Sequence, residues 1–354
     1  MSTQTLVKNE MKPEYPWKKS RPSVVVANSL IVIIPMSVYA FFFFFTDLPG
    51  ALIFIAIFLP IQITIAVIMT IAALGKRRVG DAVLSVLSVT AFSLVIALLG
   101  SVLLSVAARG LPAMRFSFLT QNNIYISPTT DLTYGGVGHA LLGTLTVVLI
   151  GTVISVPLGI ASAIYITDMK GRLAGFVRFI VQAMSGVPSI VAGLFILAAF
   201  ILTDFAGFSA LTGGLAYAIL MLPTVARTSE EVLKLVPKEL RDAATALGSS
   251  RARVIMTIVL PTAKAGIITA VILGVARVVG ETAPLLLTTS NTNGTNLNPF
   301  KDPVATIPVY IFQFLGSGYE SSIQRAWGAA FVLMLVVAIL FALTRIFSPK
   351  GKAR

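Results

Sequence analysis

The chain contains no cysteine and a single histidine, His139, in 354 residues. Disulfides, iron–sulfur clusters and thiol catalysis are thereby excluded, as is a metal cage built from imidazoles. Charge is also scarce: 12% of residues are Asp, Glu, Lys or Arg, about half the share usual in a soluble domain. No Gly-x-x-x-x-Gly-Lys-Ser/Thr loop occurs, so the chain has no cradle of its own for ATP phosphates. The fourteen acids lie mostly between apolar runs and form neither a paired-carboxylate nor a nucleophile–base arrangement. Apolar residues are abundant instead. They make up 56% of the chain and gather in runs of about twenty, enough to cross a hydrocarbon core of roughly 30 Å.

These runs predict an all-α integral membrane protein with about eight transmembrane helices, at roughly 23–46, 51–74, 82–108, 138–166, 176–202, 206–226, 265–288 and 327–347. Lys18, Lys19 and Arg21 precede the first run, which is too long for a secretory signal and reads as a retained anchor. The formal net charge is +13, and its distribution carries more information than its size. Basic residues collect in the N-terminal tail (Lys8, Lys12, Lys18, Lys19, Arg21) and in three alternate connections. These hold Lys76, Arg77 and Arg78; Lys170, Arg172 and Arg178; and Arg227, Lys234, Lys238, Arg241, Arg251, Arg253 and Lys264. Arg345, Lys350, Lys352 and Arg354 close the chain. The opposite side receives only Arg109, Arg115, Lys301 and Arg325, and Arg277 alone falls inside a span. The positive-inside rule then puts both termini in the cytoplasm. The surplus charge is accounted for by topology and contact with anionic membrane lipids, and calls for no nucleic acid.

Texture divides the chain further. A cytoplasmic tail (1–22) leads into a lipophilic two-span hairpin (23–81) containing the run Phe41 to Phe45. From about residue 82 Gly, Ser, Thr and Pro become frequent, as expected of helices that pack closely in lipid. This core extends to 347, with a short tail at 348–354. Two outer segments, 109–137 and 289–326, interrupt it; within the second, 305–315 is apolar but too short to span. It predicts a helix lying at the interface or packed on the bundle mouth.

The connection 227–264 is too charged to cross a bilayer and rich in helix formers. It predicts one short helix from Ser229 to Val236. A second opens with Pro237 at its first position, has Glu239 and Asp242 in its first turns, and is ended by Gly248. Ala243, Ala244 and Ala246 make a surface small enough for another protein to sit close, although an ordinary amphipathic loop fits the residues equally well. The spacing is more specific. Asp242-Ala243-Ala244, three residues, Gly248, nine residues, then Ile258-Val259-Leu260-Pro261 resembles the coupling motif of ABC-importer membrane subunits, with Asp in place of the usual Glu.

Four further stretches narrow the resemblance: GGVGHALLGTL (135–145), SGVPSIVAGLF (185–195), ARTSEEVLKLVP (226–237) and ARVVGETAPLL (276–286). Over about residues 82–347 the chain resembles phosphate-importer permeases of the PstA type. The resemblance implies a six-helix type I ABC-importer core preceded by the extra hairpin, in a bacterial or archaeal cytoplasmic membrane. It implies that Glu239, Asp242, Ala243, Ala244, Gly248 and Pro261 serve coupling to a separate ATPase. The implied partners are a PstC-type permease, PstB-type ATPases and an outer phosphate-binding protein. ATP and Mg would be used by the ATPase, with no cofactor bound by this chain.

Arg277 and Glu281 stand out without any family. Arg277 lies about 19 Å along the seventh span from Lys264, near mid-bilayer. An arginine there costs roughly 2.5–3.5 kcal/mol on insertion scales and should face the bundle interior or water. The i, i+4 spacing predicts that Glu281 reaches it, while Gly280 and Pro284 should loosen the helix. A structural ion pair between helices is one reading. The other is an anion site, in which the guanidinium binds phosphate and Glu281 competes for it. Arg227, at the cytoplasmic end of the sixth span, is either an exit guide for the anion or a positive-inside anchor. Ser185, Ser189 and Thr282 are candidate pathway hydroxyls, or simply bond within their helices. A self-sufficient secondary transporter or anion channel would leave the Asp242–Pro261 spacing unexplained. Sulfate or molybdate permeases would share it.

Overall fold

The computed structural model describes residues 22–46, 49–74, 76, 79–169 and 171–347. Lys8, Lys12, Lys18, Lys19, Arg21, Arg77, Arg78, Lys170, Lys350, Lys352 and Arg354 lie outside the described residues. Every regular element among the described residues is helical, and the chain divides into two compact units between Val102 and Leu103.

In the first unit, α1 (Pro22–Phe45) is followed by α2 (Gly50–Ile53), a π-turn at Phe54–Phe58 and α3 (Leu59–Leu74), which packs back on α1. α4 (Val79–Gly110) begins here. Phe41, Phe43, Phe44 and Phe45 are more than half exposed, as befits side chains that meet lipid. The hairpin is not purely apolar. Gln62 is buried and accepts a 2.9 Å hydrogen bond from Thr90 Oγ1. It lines a cavity of about 480 Å³ with Ile31, Ala66, Ser85 and Val89.

The second unit continues with α5 (Phe116–Thr120), α6 (Gly138–Ile164), α7 (Ala174–Ser185), α8 (Ser189–Ile196), α9 (Ala210–Lys234) and α10 (Lys238–Ala246). Then come α11 (Arg251–Val254), α12 (Leu260–Val278), α13 (Ala283–Leu286), α14 (Ile307–Leu315) and α15 (Glu320–Phe347). Single π-turns extend α6 through Met169 and α8 through Ile201, and join α11 to α12.

Six described helices are long and apolar enough to cross a bilayer, or seven if α7 and α8 count as one bent span; α1 adds an apolar stretch at Ser29–Phe45. The six long helices, the bent pair and α1 lie at the positions of the eight expected spans, of which six or seven meet the length and apolarity a crossing needs. The fifth bends by 104° at Gly186–Pro188, where proline cannot continue the hydrogen-bond ladder. The seventh starts at Arg251 instead of 265 and stops at Val278 instead of 288. Its early start has a cap: Ser250 Oγ accepts from the Arg253 N–H at 3.4 Å. Hydropathy sees only the lipid-facing part of such a helix. The helix expected at Ser229–Val236 is the end of α9, since nothing between Arg227 and Lys234 breaks it.

α9 is the central helix: 67% of its apolar stretch is buried, against 28% or less for the other five single-helix spans. It starts at a capping box between Ser209 and Thr212. α6 lies along it through a stripe repeating every fourth residue, Gly143, Val147, Gly151, Ser155, Gly159 and Ala163, all buried. A Cβ on Gly159 would stand 3.0 Å from Val225 Cγ1, and one on Gly151 3.1 Å from Tyr217 Cβ. Small residues thus set the helix separation, as the composition of this region implies.

α14 packs against the bundle with Ile307, Val309 and Tyr310 almost wholly buried, which favours the packed placement for 305–315. Burial pushes the Tyr310 phenol up to about 12, so it stays neutral and accepts from Asn123 Nδ2 at 3.1 Å. Arg325 is not an outer loop cation. It sits in α15, is wholly buried, and donates through Nη2 to the carbonyls of Thr130, Asp131 and Tyr134 at 2.7–3.0 Å. Arg325→Met should destabilise the protein by on the order of 3 kcal/mol, the scale of a few charge-assisted hydrogen bonds. It should also open residues 128–134 to chymotrypsin. An unchanged melting temperature with unchanged protection would refute this role.

Candidate substrate pathway and coupling surface

The seventh span ends within one residue of its charged group. α12 terminates at Val278, the chain runs non-helically through Gly280 and Glu281, and α13 begins at Ala283 with Pro284 in its first turn. This break removes the geometry that would have brought Glu281 over Arg277. Among the described residues the two form no ion pair, because i, i+4 proximity holds only while the helix continues. Glu281 is half-buried, and its backbone carbonyl accepts from Tyr217 Oη at 2.8 Å. The break is packed: a Cβ on Gly193 of α8 would stand 2.7 Å from Pro284 Cα.

Arg277 turns to another helix. Its Nη1 donates to Thr224 Oγ1 of α9 at 2.8 Å, and the side chain is exposed in the isolated chain. Arg227 follows Thr224 by three residues, hence about one turn along the same face. It too is exposed, with no hydrogen bond or ion pair among the described residues. One guanidinium is thus bonded to this hydroxyl and a second arginine follows about a turn along α9, and among the described residues neither is paired with a carboxylate. Thr224 was not singled out by its sequence context. The only signal was a hydroxyl in the otherwise apolar stretch from Met221 to Ala226.

The other candidate hydroxyls lie elsewhere. Ser185 and Ser189 flank the α7–α8 bend, and Ser185 Oγ donates to the Val181 carbonyl at 3.0 Å within its own helix. Thr282 occupies the cap position of α13, where its carbonyl accepts from the Leu285 and Leu286 N–H groups. None of the three is bonded to Arg277 or Arg227.

At the end of the bundle richest in basic residues, α10 begins just after Pro237, which is the cap residue and not the first helical one. Glu239 lies in the first turn and Gly248 terminates the helix at φ +80°. The Ser249 N–H reaches the Ala244 carbonyl and the Gly248 N–H that of Thr245. That pair is the Schellman closure a glycine in the left-handed region permits. The three alanines do not share a face. Ala244 turns inward among Ala163, Leu233, Val254 and Ala263, whereas Ala243 and Ala246 are exposed beside Glu239 and Asp242. Leu235 and Leu247, 81% and 88% exposed, flank the helix at its two ends. Pro261 stands in the first turn of α12.

Two ion-paired groups hold this end together. Arg241 of α10 pairs with Asp168 at the end of α6 and donates to the Leu233 carbonyl of α9 at 2.6 Å. Glu230 of α9 binds Arg178 of α7 at 2.9 Å and Lys234 at 2.6 Å. Among the described residues no group of His, Asp and Glu is placed to hold a metal ion.

The profile of the binding-protein-dependent transport system inner membrane component family matches residues 155–352. Phosphate transport system permease protein PstA 1 of Mycobacterium tuberculosis (strain CDC 1551 / Oshkosh) is 39% identical over 267 residues, covering 75% of this chain and 87% of that protein. The PstA protein of Haemophilus influenzae is 36% identical over 253 residues, 71% of this chain and 87% of its own length. Among solved structures, an inward-facing form of the MetNI methionine ABC transporter aligns at 19% identity and a TM-score of 0.47, over 60% of this chain and 95% of that one. The chain belongs to the binding-protein-dependent transport system inner membrane components and, within them, to the PstA phosphate transport permeases.

Proposed function

We propose that this chain is one of two membrane permeases of an ATP-driven importer and carries inorganic phosphate into the cytoplasm of a bacterium or archaeon. A PstC-type permease would complete the pathway, PstB-type ATPases would use ATP and Mg beneath it, and a phosphate-binding protein would deliver the ion outside. Both termini face the cytoplasm on this reading, which the segregation of basic residues supports.

The observation that carries the reading is the bond from the exposed Arg277 to Thr224, with the exposed Arg227 about one turn along α9 and, among the described residues, no carboxylate paired with either arginine. A guanidinium offers planar donors suited to a tetrahedral oxyanion, and the hydroxyl can both donate to and accept from it. The exposed face of α10 supports the second half of the reading. Glu239, Asp242, Ala243 and Ala246 form a short, small-residue ridge at the end of the bundle where basic residues concentrate.

The test is uptake of labelled phosphate into proteoliposomes holding the two permeases and the ATPase, with binding protein added outside. Uptake should require ATP and should be resisted poorly by excess sulfate. Uptake by this chain alone under an ion gradient would replace the reading with a secondary transporter. Preference for sulfate over phosphate would replace the substrate.

A further inference from the structure

α10 is a nine-residue helix that buries one side chain, Ala244. A helix that short is not stable by itself, and a single buried methyl group fixes its direction weakly. Its firmest tie is Arg241. One guanidinium nitrogen pairs with Asp168 on the π-turn that closes α6, and another donates to the Leu233 carbonyl in the last turn of α9. The site is sheltered: Asp168 is 7% exposed and Arg241 20%. Thr167 Oγ1 lies 2.8 Å from the second Asp168 oxygen and 2.8 Å from the Ala163 carbonyl, so its one proton is shared between the carboxylate and α6. The Arg241 Nε is buried with no partner, so the two terminal nitrogens alone set the orientation of the group. The neighbouring Arg178–Glu230–Lys234 cluster joins α7 to α9 and includes no residue of α10.

We propose that Arg241, acting through Asp168 and the Leu233 carbonyl, is the positioning residue that makes α10 move as one body with α6 and α9. This rests on the proposed function, in which a separate ATPase pulls on α10. α9 carries Thr224 and Arg227, and α6 lies along it, so motion delivered to α10 reaches the pathway through this link. Without it, α10 remains attached by its connections and Ala244 but can be displaced without displacing the spans. Hydrolysis would then continue while transport slips. Removing Arg241 also strands the Asp168 carboxylate in a sheltered place, so the two residues should act as a unit.

The experiment uses the whole reconstituted transporter and measures phosphate imported per ATP hydrolysed. Arg241→Gln and Asp168→Asn should each retain the ATPase and its hydrolysis, with the ratio falling about tenfold, within the range of site-to-site coupling free energies. The double variant should fall no further than either single one. Arg241→Lys, which can satisfy one partner at a time, should lie between. A purely structural role would lower yield, hydrolysis and uptake together and leave the ratio unchanged. A wild-type ratio in either single variant, additive losses in the double one, or loss of the bound ATPase would overturn the proposal. Failure of the wild-type complex to import phosphate with ATP would instead overturn the function on which it rests.

Discussion

Arg277→Gln should reduce phosphate uptake by roughly ten- to a hundredfold while leaving complex assembly and ATP hydrolysis in place. The magnitude is that of lost hydrogen bonds to a charged group, about 1.5–3 kcal/mol, since Arg277 is exposed in the isolated chain. Gln keeps the side chain polar though shorter, and Arg277 is exposed, so the packing around the end of α12 should persist. The structure sharpens the expectation. Because Glu281 is not the partner of Arg277, Glu281→Gln should affect uptake much less than Arg277→Gln. Thr224→Val, which leaves the guanidinium without its hydroxyl, should fall between them. Normal uptake by Arg277→Gln, or equal losses in all three variants, would show that these residues do not form an anion site.

The second large effect concerns α10. Asp242→Lys combined with Gly248→Trp should abolish copurification of the ATPase, and with it all ATP-dependent uptake. Gly248 holds a φ of +80°, a region that costs a residue with a Cβ about 1–2 kcal/mol. Trp there strains the closure that ends the helix and adds bulk beside the exposed Ala246 and Leu247. Lys at 242 reverses a charge on the exposed side without touching Ala244. The second permease should still copurify, because neither change lies in a span. Retention of the ATPase together with intact uptake would remove α10 from its coupling role. The comparison between this pair and Arg241→Gln is informative. The outward-facing changes should prevent docking, whereas the inward-facing one should leave docking intact and lose only its consequence.

Much of the architecture was legible because it depends on local rules. Runs of apolar residues report helices that lipid will accept, whatever they pack against. Gly248 was recognisable as a helix end because only glycine adopts a left-handed backbone without strain, and the observed closure there is local in sequence. The same locality explains the errors. Hydropathy could not see that α9 continues to Lys234 or that helix resumes at Arg251 ahead of α12, since Glu230–Lys234 pairing and the Ser250 cap stabilise helix in charged sequence. Arg325 falls outside the last apolar run, which begins at 327, but three carbonyls from 130–134, nearly two hundred residues away in sequence, make its burial within α15 possible.

The sequence by itself determined that this protein lives in a membrane, which connections carry positive charge, and that Asp242 to Pro261 has the spacing of a coupling loop. Each is a property of composition or of order along the chain. It also marked Arg277 as a cation out of place. Only the tertiary structure decided what that cation touches. The break after Val278 turns Glu281 away, and the close approach of α12 to α9, allowed where Gly274 lies against Met221 and Val225, brings Thr224 within a hydrogen bond. The scarce charge of this chain is thus informative twice. Its position follows from the order of residues, whereas its partner is set by which helices are small enough to meet.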